Sequence, residues 1–466
     1  MPKIRSLKNP AFTIALILAL ALTLSLPASA LGAAERAGNA GAGPLSTWYL
    51  AEGTTDWGFE TFISIENPNN EHVTARVTYQ TPQGPIPRDD IQLEPTSVTY
   101  LQPSDDLGQR DFSTKVVCLQ GKTIAVERAM IWAANGQMPE AHSSIGVTSP
   151  ARTWYLPEGS SDWGFECWLL IQNPNPSQAT CLLTYMIEGQ GPHQVAKLVP
   201  ANSRRSFFMA DDIGPNDASI KVESNVPVIP ERAMYRNNRR EGHDSIGTTA
   251  PSHDYYLPEG TTDWGFTTYV LVQNPNPTPT TVTVTYMTPT GPIQDPPFVM
   301  PASSRRTIWV NQAHPGLDLS TKVHGSQPII AERSMYWDSG WGEACHDSIG
   351  LSAPHTVFYL PDGETAEPDP ETGFDAETWT LVQNPNTTPV SIRISYLLMG
   401  DRRDITFTDA IPPGSRRTYN MGDRLPEGAA AVVVECLTPG KKILAEKAMY
   451  MGQRCLGTDT IGGFSD

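Results

Sequence analysis

Beyond residue 30 the sequence lacks a second apolar run long enough to span a bilayer, and it lacks a cysteine placed for a lipid anchor. Basic residues are also scarce. The 33 Lys and Arg stand against 50 Asp and Glu, which gives a formal charge of −17. An acidic surface repels phosphate backbones and anionic lipid head groups. These deficits argue against nucleic-acid binding and against direct membrane insertion of the chain beyond residue 30.

The N-terminal segment has the composition of a secretory signal peptide. Lys3, Arg5 and Lys8 precede an apolar stretch, and small residues at 28–30 provide a cleavage site. An uncleaved membrane anchor is the alternative, but the Ala- and Gly-rich residues that follow favour cleavage. We expect 1–30 to be a signal peptide, 31–46 a flexible linker, and the protein to be secreted or associated with the cell surface.

The rest of the chain repeats itself with a period of about 100 residues. The segment WYLAEGTTDWGF begins at Trp48, returns nearly unchanged at Trp154 and Tyr255, and begins in degraded form at Phe358. Each copy continues through Asn-Pro-Asn, a run ending in Tyr, Ser-Arg-Arg (absent from the first copy), a segment such as AERSMY and a tail such as HDSIG. The repeats span 47–149, 152–250, 253–353 and 356–463. A unit of this length can bury its own core, so each repeat is predicted to be a domain.

Short runs of β-branched and aromatic residues, bounded by turn residues, predict strands within each repeat. The 42 prolines and 37 glycines fit an all-β chain with many turns. About seven strands per repeat predict an immunoglobulin-like or fibronectin-like β-sandwich. The Asn-Pro-Asn segments predict Asx turns at corners between strands. Linkers of about six residues containing proline predict an extended, semi-rigid rod of four tandem sandwiches.

The succession WYLxEG, GF, NPN, SRR, AERxMY and HDSIG resembles a largely uncharacterised family of tandem Ig-like β-sandwich repeats in exported bacterial proteins. The resemblance covers residues 47–463. It implies an extracellular or cell-surface setting and an Ig-like fold, and it brings no catalytic assignment. The fourth repeat departs from the pattern at Asp362, at an inserted loop and at Thr458.

The HDSIG tail places a histidine, an acid and a serine together, which raises the possibility of a hydrolase. Nucleophilic catalysis, however, normally assembles one site from separated segments. Here the tail closes every repeat, with Ser143 replacing the acid in the first and Thr458 replacing the histidine in the fourth. We predict a structural tail and a protein that is not an enzyme and needs no cofactor. The isoleucines predicted to be buried are Ile145, Ile246, Ile349 and Ile461.

Each repeat also contains an adjacent acid and base near its end, and strand alternation places the two on opposite faces. Whichever face is core then buries a charge, which requires a partner. We predict a structural ion pair rather than a catalytic acid. The acids are Glu127, Glu231, Glu332 and Glu446. The proposed partners are Arg204, Arg305 and Arg416 of the Ser-Arg-Arg segments, or the arginines that follow them, Arg205, Arg306 and Arg417.

Three tryptophans, each preceded by an aspartate, provide the strongest alternative function. Exposed aromatic faces beside carboxylates are typical of sugar-binding sites. The competing interpretation, which we favour from sequence, is that the Trp-Gly-Phe segment plugs the end of the sandwich or packs against the neighbouring domain, with the aspartate capping the loop. The residues concerned are Trp57, Trp163 and Trp264 with Asp56, Asp162 and Asp263.

Six cysteines in an exported chain are expected to be mostly paired. Cys167 and Cys181 flank an Asn-Pro-Asn corner and form the preferred disulfide, and Cys436 with Cys455 is a weaker candidate. The cysteines form no CxxC cluster, so a zinc site is not predicted.

The fourth repeat carries an acidic insertion from Pro361 to Glu377 that could offer oxygen ligands to calcium. Its spacing matches no calcium-binding loop, so we predict a solvated loop and no metal.

The sequence therefore predicts a non-catalytic structural or adhesive protein of the cell surface or extracellular space. Its expected partner is a cell-envelope polymer, a glycan or another surface protein. A carbohydrate-binding protein that uses the tryptophans is the alternative, and a hydrolase is less favoured.

Overall fold

The computed structural model describes residues 45–133, 139–338, 340, 343–370, 373–398 and 403–466. The predicted signal peptide and nearly all of the predicted linker lie outside these ranges. Strands make up 62% of the structure and helices 4%, which confirms the all-β class. Among the described residues, no helix is long and apolar enough to cross a membrane.

The strands are numbered in chain order. Repeat 1 contains β1 (Thr47–Leu50), β2 (Phe59–Asn67), β3 (Val73–Thr81), β4 (Gly84–Pro87), β5 (Ile91–Leu93), β6 (Ser97–Leu101), β7 (Ser113–Cys118), β8 (Ala125–Trp132) and β9 (Glu140–Ile145). Repeat 2 contains β10 (Ala151–Leu156), β11 (Glu166–Asn173), β12 (Ala179–Ile187), β13 (Gly191–Val199), β14 (Ser203–Phe208), β15 (Ala218–Arg236) and β16 (Glu241–Ile246).

The second half of the chain follows the same plan. Repeat 3 contains β17 (Ser252–Leu257), β18 (Thr267–Asn274), β19 (Thr280–Thr288), β20 (Gly291–Gln294), β21 (Phe298–Met300), β22 (Ser304–Trp309), β23 (Ser320–Asp338) and β24 (Glu343–Ile349). Repeat 4 contains β25 (Val357–Leu360), β26 (Glu364–Thr365), β27 (Ala376–Asn384), β28 (Val390–Leu398), β29 (Ile405–Ile411), β30 (Ser415–Asn420), β31 (Gly428–Cys436), β32 (Leu444–Met451), β33 (Leu456–Thr460) and β34 (Gly463–Ser465). Single helical turns are α1 (Ser104–Leu107), α2 (Ala210–Ile213), α3 (Val310–Ala313) and a 3-10 turn at Met421–Asp423.

Each repeat forms two antiparallel sheets. In repeat 1 the strand orders are β1-β7-β3-β4, with β5 also on β3, and β6-β2-β8-β9. Repeats 2 and 3 differ because β15 and β23 are continuous 19-residue strands that take part in both sheets. In repeat 3 this strand continues through Ser326 to Pro328 without a break. The HDSIG tail is itself a strand, which sequence analysis had not counted.

The Asn-Pro-Asn corners carry the chain from one sheet to the other. In repeat 2 the Asn173 amide nitrogen donates to the carbonyls of Ser177 (2.8 Å) and Pro200 (2.8 Å). Its Oδ1 accepts the backbone N–H of Asn175 at 3.1 Å, which confirms the predicted Asx turn. The same bond recurs at the corners of the other three repeats.

The corner also explains why the predicted disulfides are wrong. All six cysteines are free thiols and are buried. Cys167 lies on β11 and Cys181 on β12, and these two strands pair with different parts of β15, in different sheets, instead of pairing with each other in one hairpin. Cys436 on β31 and Cys455 in the turn before β33 are likewise separated. Buried thiols of this kind act as small apolar side chains.

The four repeats form a closed ring, so the predicted extended rod is wrong. The tail strands meet in sequence around the ring: β9 with β16, β16 with β24, β24 with β33, and β33 with β9. The linkers begin by pairing back onto their own repeat, for example at Thr248 with Tyr155. The tail strands are buried along their whole lengths in the described chain except at Glu343, and neighbouring repeats provide that burial.

Candidate functional site

Two features stand out for their chemistry: the joints, meaning the interfaces between successive repeats, and the tryptophan turns. The joint of repeats 2 and 3 illustrates the first. Arg232 of repeat 2 donates through Nη2 to Glu332 Oε1 (3.1 Å) and to the Asp347 carboxylate, both of repeat 3. Glu158 Oε2, from the WYLPEG segment of repeat 2, lies 3.4 Å from the same nitrogen. All four side chains are buried.

The histidine of the tail completes this joint. His243 Nδ1 lies 3.1 Å from Asp347 Oδ2, and its Nε2 lies 2.9 Å from the Tyr336 hydroxyl, so both ring nitrogens have partners in repeat 3. One repeat thus contributes Glu, Arg and His, and the next contributes Glu, Asp and Tyr. The joint of repeats 1 and 2 uses Glu52, Arg128 and His142 with Glu231, Asp244 and Tyr235. The joint of repeats 3 and 4 uses Glu259, Arg333 and His346 with Glu446, Asp459 and Tyr450.

The four glutamates form buried ion pairs, as predicted, but the predicted basic partners are wrong. The partners of Glu231, Glu332 and Glu446 are the arginines of the AERSMY-like segments in the preceding repeat, and Glu127 is paired with Lys447 of repeat 4 at 2.7 Å. The Ser-Arg-Arg arginines contact other acids of the preceding repeat. Arg204 lies 3.5 Å from Asp111, Arg305 lies 3.3 Å from Glu188, and Arg416 is bonded to Asp318.

Burial sets the protonation of the joint acids. It raises the pKa of Glu231 to about 8, although Arg128 opposes the shift, and it raises those of Glu332 and Glu446 to about 7. For Asp347 the outcome is reversed: burial opposes ionisation, but Arg232 and His243 hold its pKa well below the usual range. Each of these three joints therefore combines an ionised aspartate with a glutamic acid that titrates near neutral pH.

The joints also contain three trios with metal-ligand side chains, of which Glu158, His243 and Asp347 are one. Their ligand atoms lie within 4.8 Å of one another. They do not fit a metal ion, because the Arg232 guanidinium already lies between the same two carboxylates and supplies the positive charge. The equivalent trios are Glu52, His142 and Asp244, and Glu259, His346 and Asp459.

The tail serines are not presented to solvent. Ser245 is buried, and its Oγ donates to the carbonyl of Ile246 at 3.3 Å. The four tail isoleucines are buried as predicted. The HDSIG side chains therefore pack repeat against repeat.

The tryptophan turns are tight reverse turns on the surface. In Asp56-Trp57-Gly58-Phe59 the Phe59 N–H donates to the Asp56 carbonyl at 3.0 Å, and the φ angles of Trp57 and Gly58 are 59° and 85°. These values define a type I′ turn. Asp56 Oδ1 accepts the Trp57 N–H at 2.8 Å. The turns at 162–165 and 263–266 repeat this geometry.

The indole rings point away from the protein, whereas the neighbouring phenylalanines are packed. Trp57, Trp163 and Trp264 are 71%, 72% and 65% exposed. Phe59 is buried against Trp132 and Tyr235, with ring centroids 5.2 and 5.8 Å away. The predicted packing is therefore wrong for the tryptophans, whereas the phenylalanine packs against the neighbouring repeat.

Neither backbone chemistry nor packing accounts for tryptophan at these positions. The first central position of a type I′ turn favours Asn, Asp or Gly, and a bulky residue with positive φ is strained by about 1–3 kcal/mol. An exposed indole gains little burial energy in return. A side chain that costs stability three times in one chain indicates selection for the indole itself.

The three turns lie on one face of the ring. At each of three successive joints, the phenylalanine of the turn packs edge-on against the tyrosine of the next repeat. The centroid distances are 5.8, 6.4 and 5.9 Å for Phe59–Tyr235, Phe165–Tyr336 and Phe266–Tyr450. Equivalent positions in a closed ring share a face, so the tryptophans do as well.

Polar groups accompany these tryptophans. The Trp163 indole N–H donates to Asp217 at 3.2 Å. In repeat 1 the Thr55 N–H of the turn segment bonds the Arg110 carbonyl at 3.1 Å. Arg110 borders an open groove of about 460 Å³. The groove is lined by Thr81, Gln83, Gly84, Pro85, Ile86, Gln109 and Arg110.

The acidic insertion of repeat 4 stands where a fourth tryptophan turn would be, and the prediction of a solvated loop is wrong for several of its acids. Asp362 and Glu364 are buried. Burial, together with Asp362, raises the pKa of Glu364 to about 7. Asp375 accepts the Gln453 N–H at 2.5 Å.

Comparisons with known proteins add little. No protein-family model matches the chain, and no curated protein matches it. A crystal structure described as Thermotoga maritima 1070 is 23% identical and covers 21% of this chain and 94% of its own, with a TM-score of 0.20. A tetra-tandem repeat from the extending region of a large adhesion protein is 9% identical and covers 86% of this chain and 93% of its own, with a TM-score of 0.10.

Proposed function

We propose that this chain is a non-catalytic binding protein, secreted or held at the cell surface, that contacts its ligand through Trp57, Trp163 and Trp264. The observation that carries the proposal is the exposure of three strained tryptophans on one face of a ring. The N-terminal sequence supports export. We further propose that each repeat is an Ig-like β-sandwich, in keeping with its two antiparallel sheets.

The ligand class that best suits this face is carbohydrate. An indole face stacks on the C–H surface of a pyranose ring, while nearby carboxylates, amides and guanidinium groups bond its hydroxyls. The formal charge of −17 favours a neutral or cationic glycan over a polyanion. Three equivalent sites suit a polymer, since weak contacts add through effective concentration.

A glycan array with the full chain tests the proposal. We expect wild-type protein to bind a set of neutral glycans, and a variant with Trp57→Asn, Trp163→Asn and Trp264→Asn to lose binding while staying folded. Trp309, which is 49% exposed and lies outside the turns, provides the matched control, so Trp309→Ser should keep binding. Equal binding by wild-type protein and the triple variant would contradict the role of the tryptophans. An array on which folded wild-type protein binds nothing would reject carbohydrate in favour of a protein ligand.

A further inference from the structure

One joint of the ring differs from the other three, and we call it the seam: the joint where repeat 4 meets repeat 1. These two repeats depart from the repeat pattern at isolated positions. The structure places the departures at the joint positions against one another. Repeat 4 contributes Asp362, Lys447 and Thr458 where other repeats have Glu, Arg and His. Repeat 1 contributes Ser143 and Ile131 where the next repeat otherwise supplies Asp and Tyr.

The seam replaces an ionic network with one ion pair and an apolar cluster. Lys447 Nζ and Glu127 Oε1 are 2.7 Å apart, and both side chains are fully buried. Ser143 Oγ donates to the Asp459 carbonyl at 3.3 Å. Around them the two repeats share a cluster made of Phe62, Ile131, Ala141, Phe374, Ala376, Met449, Met451, Cys455 and Leu456.

The outer part of the seam is also different. At the other joints the first arginine of Ser-Arg-Arg crosses to the preceding repeat. Repeat 1 has Val98 at that position. Two residues later, the Tyr100 hydroxyl bonds Asp362 Oδ1 of repeat 4 at 3.0 Å.

These departures compensate for one another. A tail histidine in repeat 4 would face Ser143 and Ile131 and lack its acid, and a tail aspartate in repeat 1 would face Thr458 and lack its histidine. A buried charge without a partner is strongly destabilising. Each change is tolerable because its counterpart on the other side of the seam has changed as well.

We propose that the seam is a private interface: the outer face of repeat 4 fits repeat 1 and rejects repeats 2, 3 and 4. Placed against repeat 2, Lys447 and Thr458 would meet Asp244 and Tyr235 and leave both without the histidine they contact elsewhere. Specificity of this kind comes from unpaired groups in the wrong pairing. The seam thereby identifies the two ends of the repeat array and closes the ring in one register.

A substitution series in the full chain tests the proposal. Thr458→His, Ser143→Asp and Ile131→Tyr should each lower the thermal midpoint when made alone. The three together should recover at least half of the summed loss, because the histidine regains its acid and its tyrosine. Losses that simply add would overturn the proposal.

The dimensions of the molecule provide a second readout. The ring with an intact seam should be a compact monomer in small-angle X-ray scattering, whereas a single seam variant should have a larger radius of gyration because the weakened seam opens the ring. If Thr458→His does not fold, the combined variant remains decisive: a folded monomer supports the private interface and a misfolded protein refutes it. The matched series at the joint of repeats 2 and 3, His243→Thr with Asp347→Ser, should show the same compensation.

Discussion

The centre of this ring buries charge, and one face of it exposes tryptophan, which reverses the usual distribution of side chains. The comparison distinguishes two reasons for which a motif can recur in a repeat protein. At the centre, Arg232 and His243 have equivalents at three of the four joints, and their partners recur in step. On the face, Trp163 and its equivalents recur although their side chains are exposed and their φ angles are positive. The repeated joint residues hold the ring together, and the repeated tryptophans are the residues through which we propose that the ring binds its ligand.

The largest expected effect comes from removing a central charge. Arg232→Ala leaves Glu332 and Asp347 buried without their base, so the free energy of unfolding should fall by about 3–5 kcal/mol in denaturant titration. Arg205→Ala, an exposed arginine of the same repeat, is the control and should cost under about 0.5 kcal/mol. Similar losses for the two variants would show that the joints do not hold the ring.

The stability of the protein should depend strongly on pH because the centre of the ring buries titratable side chains. Glu231 has its pKa raised by burial from 4.5 to about 8, so the folded state retains a proton that the unfolded chain releases, and stability is lost as pH rises through this window. Burial lowers the pKa of His346, but Asp459 and Glu259 outweigh it and raise the value above 6.5. This stabilising contribution is present below pH 6.5 and is lost as pH rises.

The joint aspartates act in the opposite direction. Burial opposes the ionisation of Asp244, but Arg128 and His142 lower its pKa below 3.8, so its contribution is present above pH 3.8 and is lost in acid. We therefore expect the thermal midpoint to be highest between about pH 4 and 4.5, and to fall progressively towards pH 9. Glu231→Gln should reduce that fall while changing little at pH 5. A midpoint that is constant from pH 6 to 9 would contradict the buried acids.

Substitution of a tryptophan on the face should change the free energy of unfolding by a smaller amount, and in the opposite direction. Trp57→Asn places a favoured residue at the first central position of the type I′ turn, so the free energy of unfolding should rise by up to about 1 kcal/mol. Binding through that turn should be lost, as measured by titration of the full chain with a glycan found on the array. A loss of about 3 kcal/mol or more would instead identify the indole as a packed side chain.

The smallest expected effect on the thermal midpoint is that of reducing the cysteines. Because the six thiols are free and buried, a reducing agent should leave the thermal midpoint unchanged. Thiol titration of the denatured, unreduced protein should find six reactive groups. Fewer groups, together with a midpoint that falls on reduction, would restore the disulfide between Cys167 and Cys181.

The local structure of each repeat could be predicted from the sequence, but the assembly of the repeats into a ring could not. Alternation placed Glu332 and Arg333 on opposite faces, and the structure confirms this, since Glu332 meets repeat 2 and Arg333 meets repeat 4. The partners could not be found by reading one repeat, because each lies about 100 residues away in the next copy. The departures of the first and fourth repeats, such as Ser143 and Thr458, were a visible signal of ring closure.

The tryptophan turns were recognised as candidates, but their exposure was judged wrongly. Sequence treated Trp-Gly-Phe as one apolar unit. The positive φ angles of Trp57 and Gly58 turn the indole outwards while Phe59 remains in the joint. The dipeptide Trp-Gly at a strand connection was a usable signal, since glycine at the second central position marks a type I′ turn.

Closure of the ring also limits how the array can change its length. If repeat 3 were deleted, Arg232 and His243 would meet Glu446 and Asp459, which are chemically matched, so side-chain pairing alone would tolerate the shorter array. Geometry would not, because each joint turns the chain by about a quarter of a circle and three such turns leave a gap. The copy number is therefore set by curvature, whereas the identity of the first and last copies is set by chemistry.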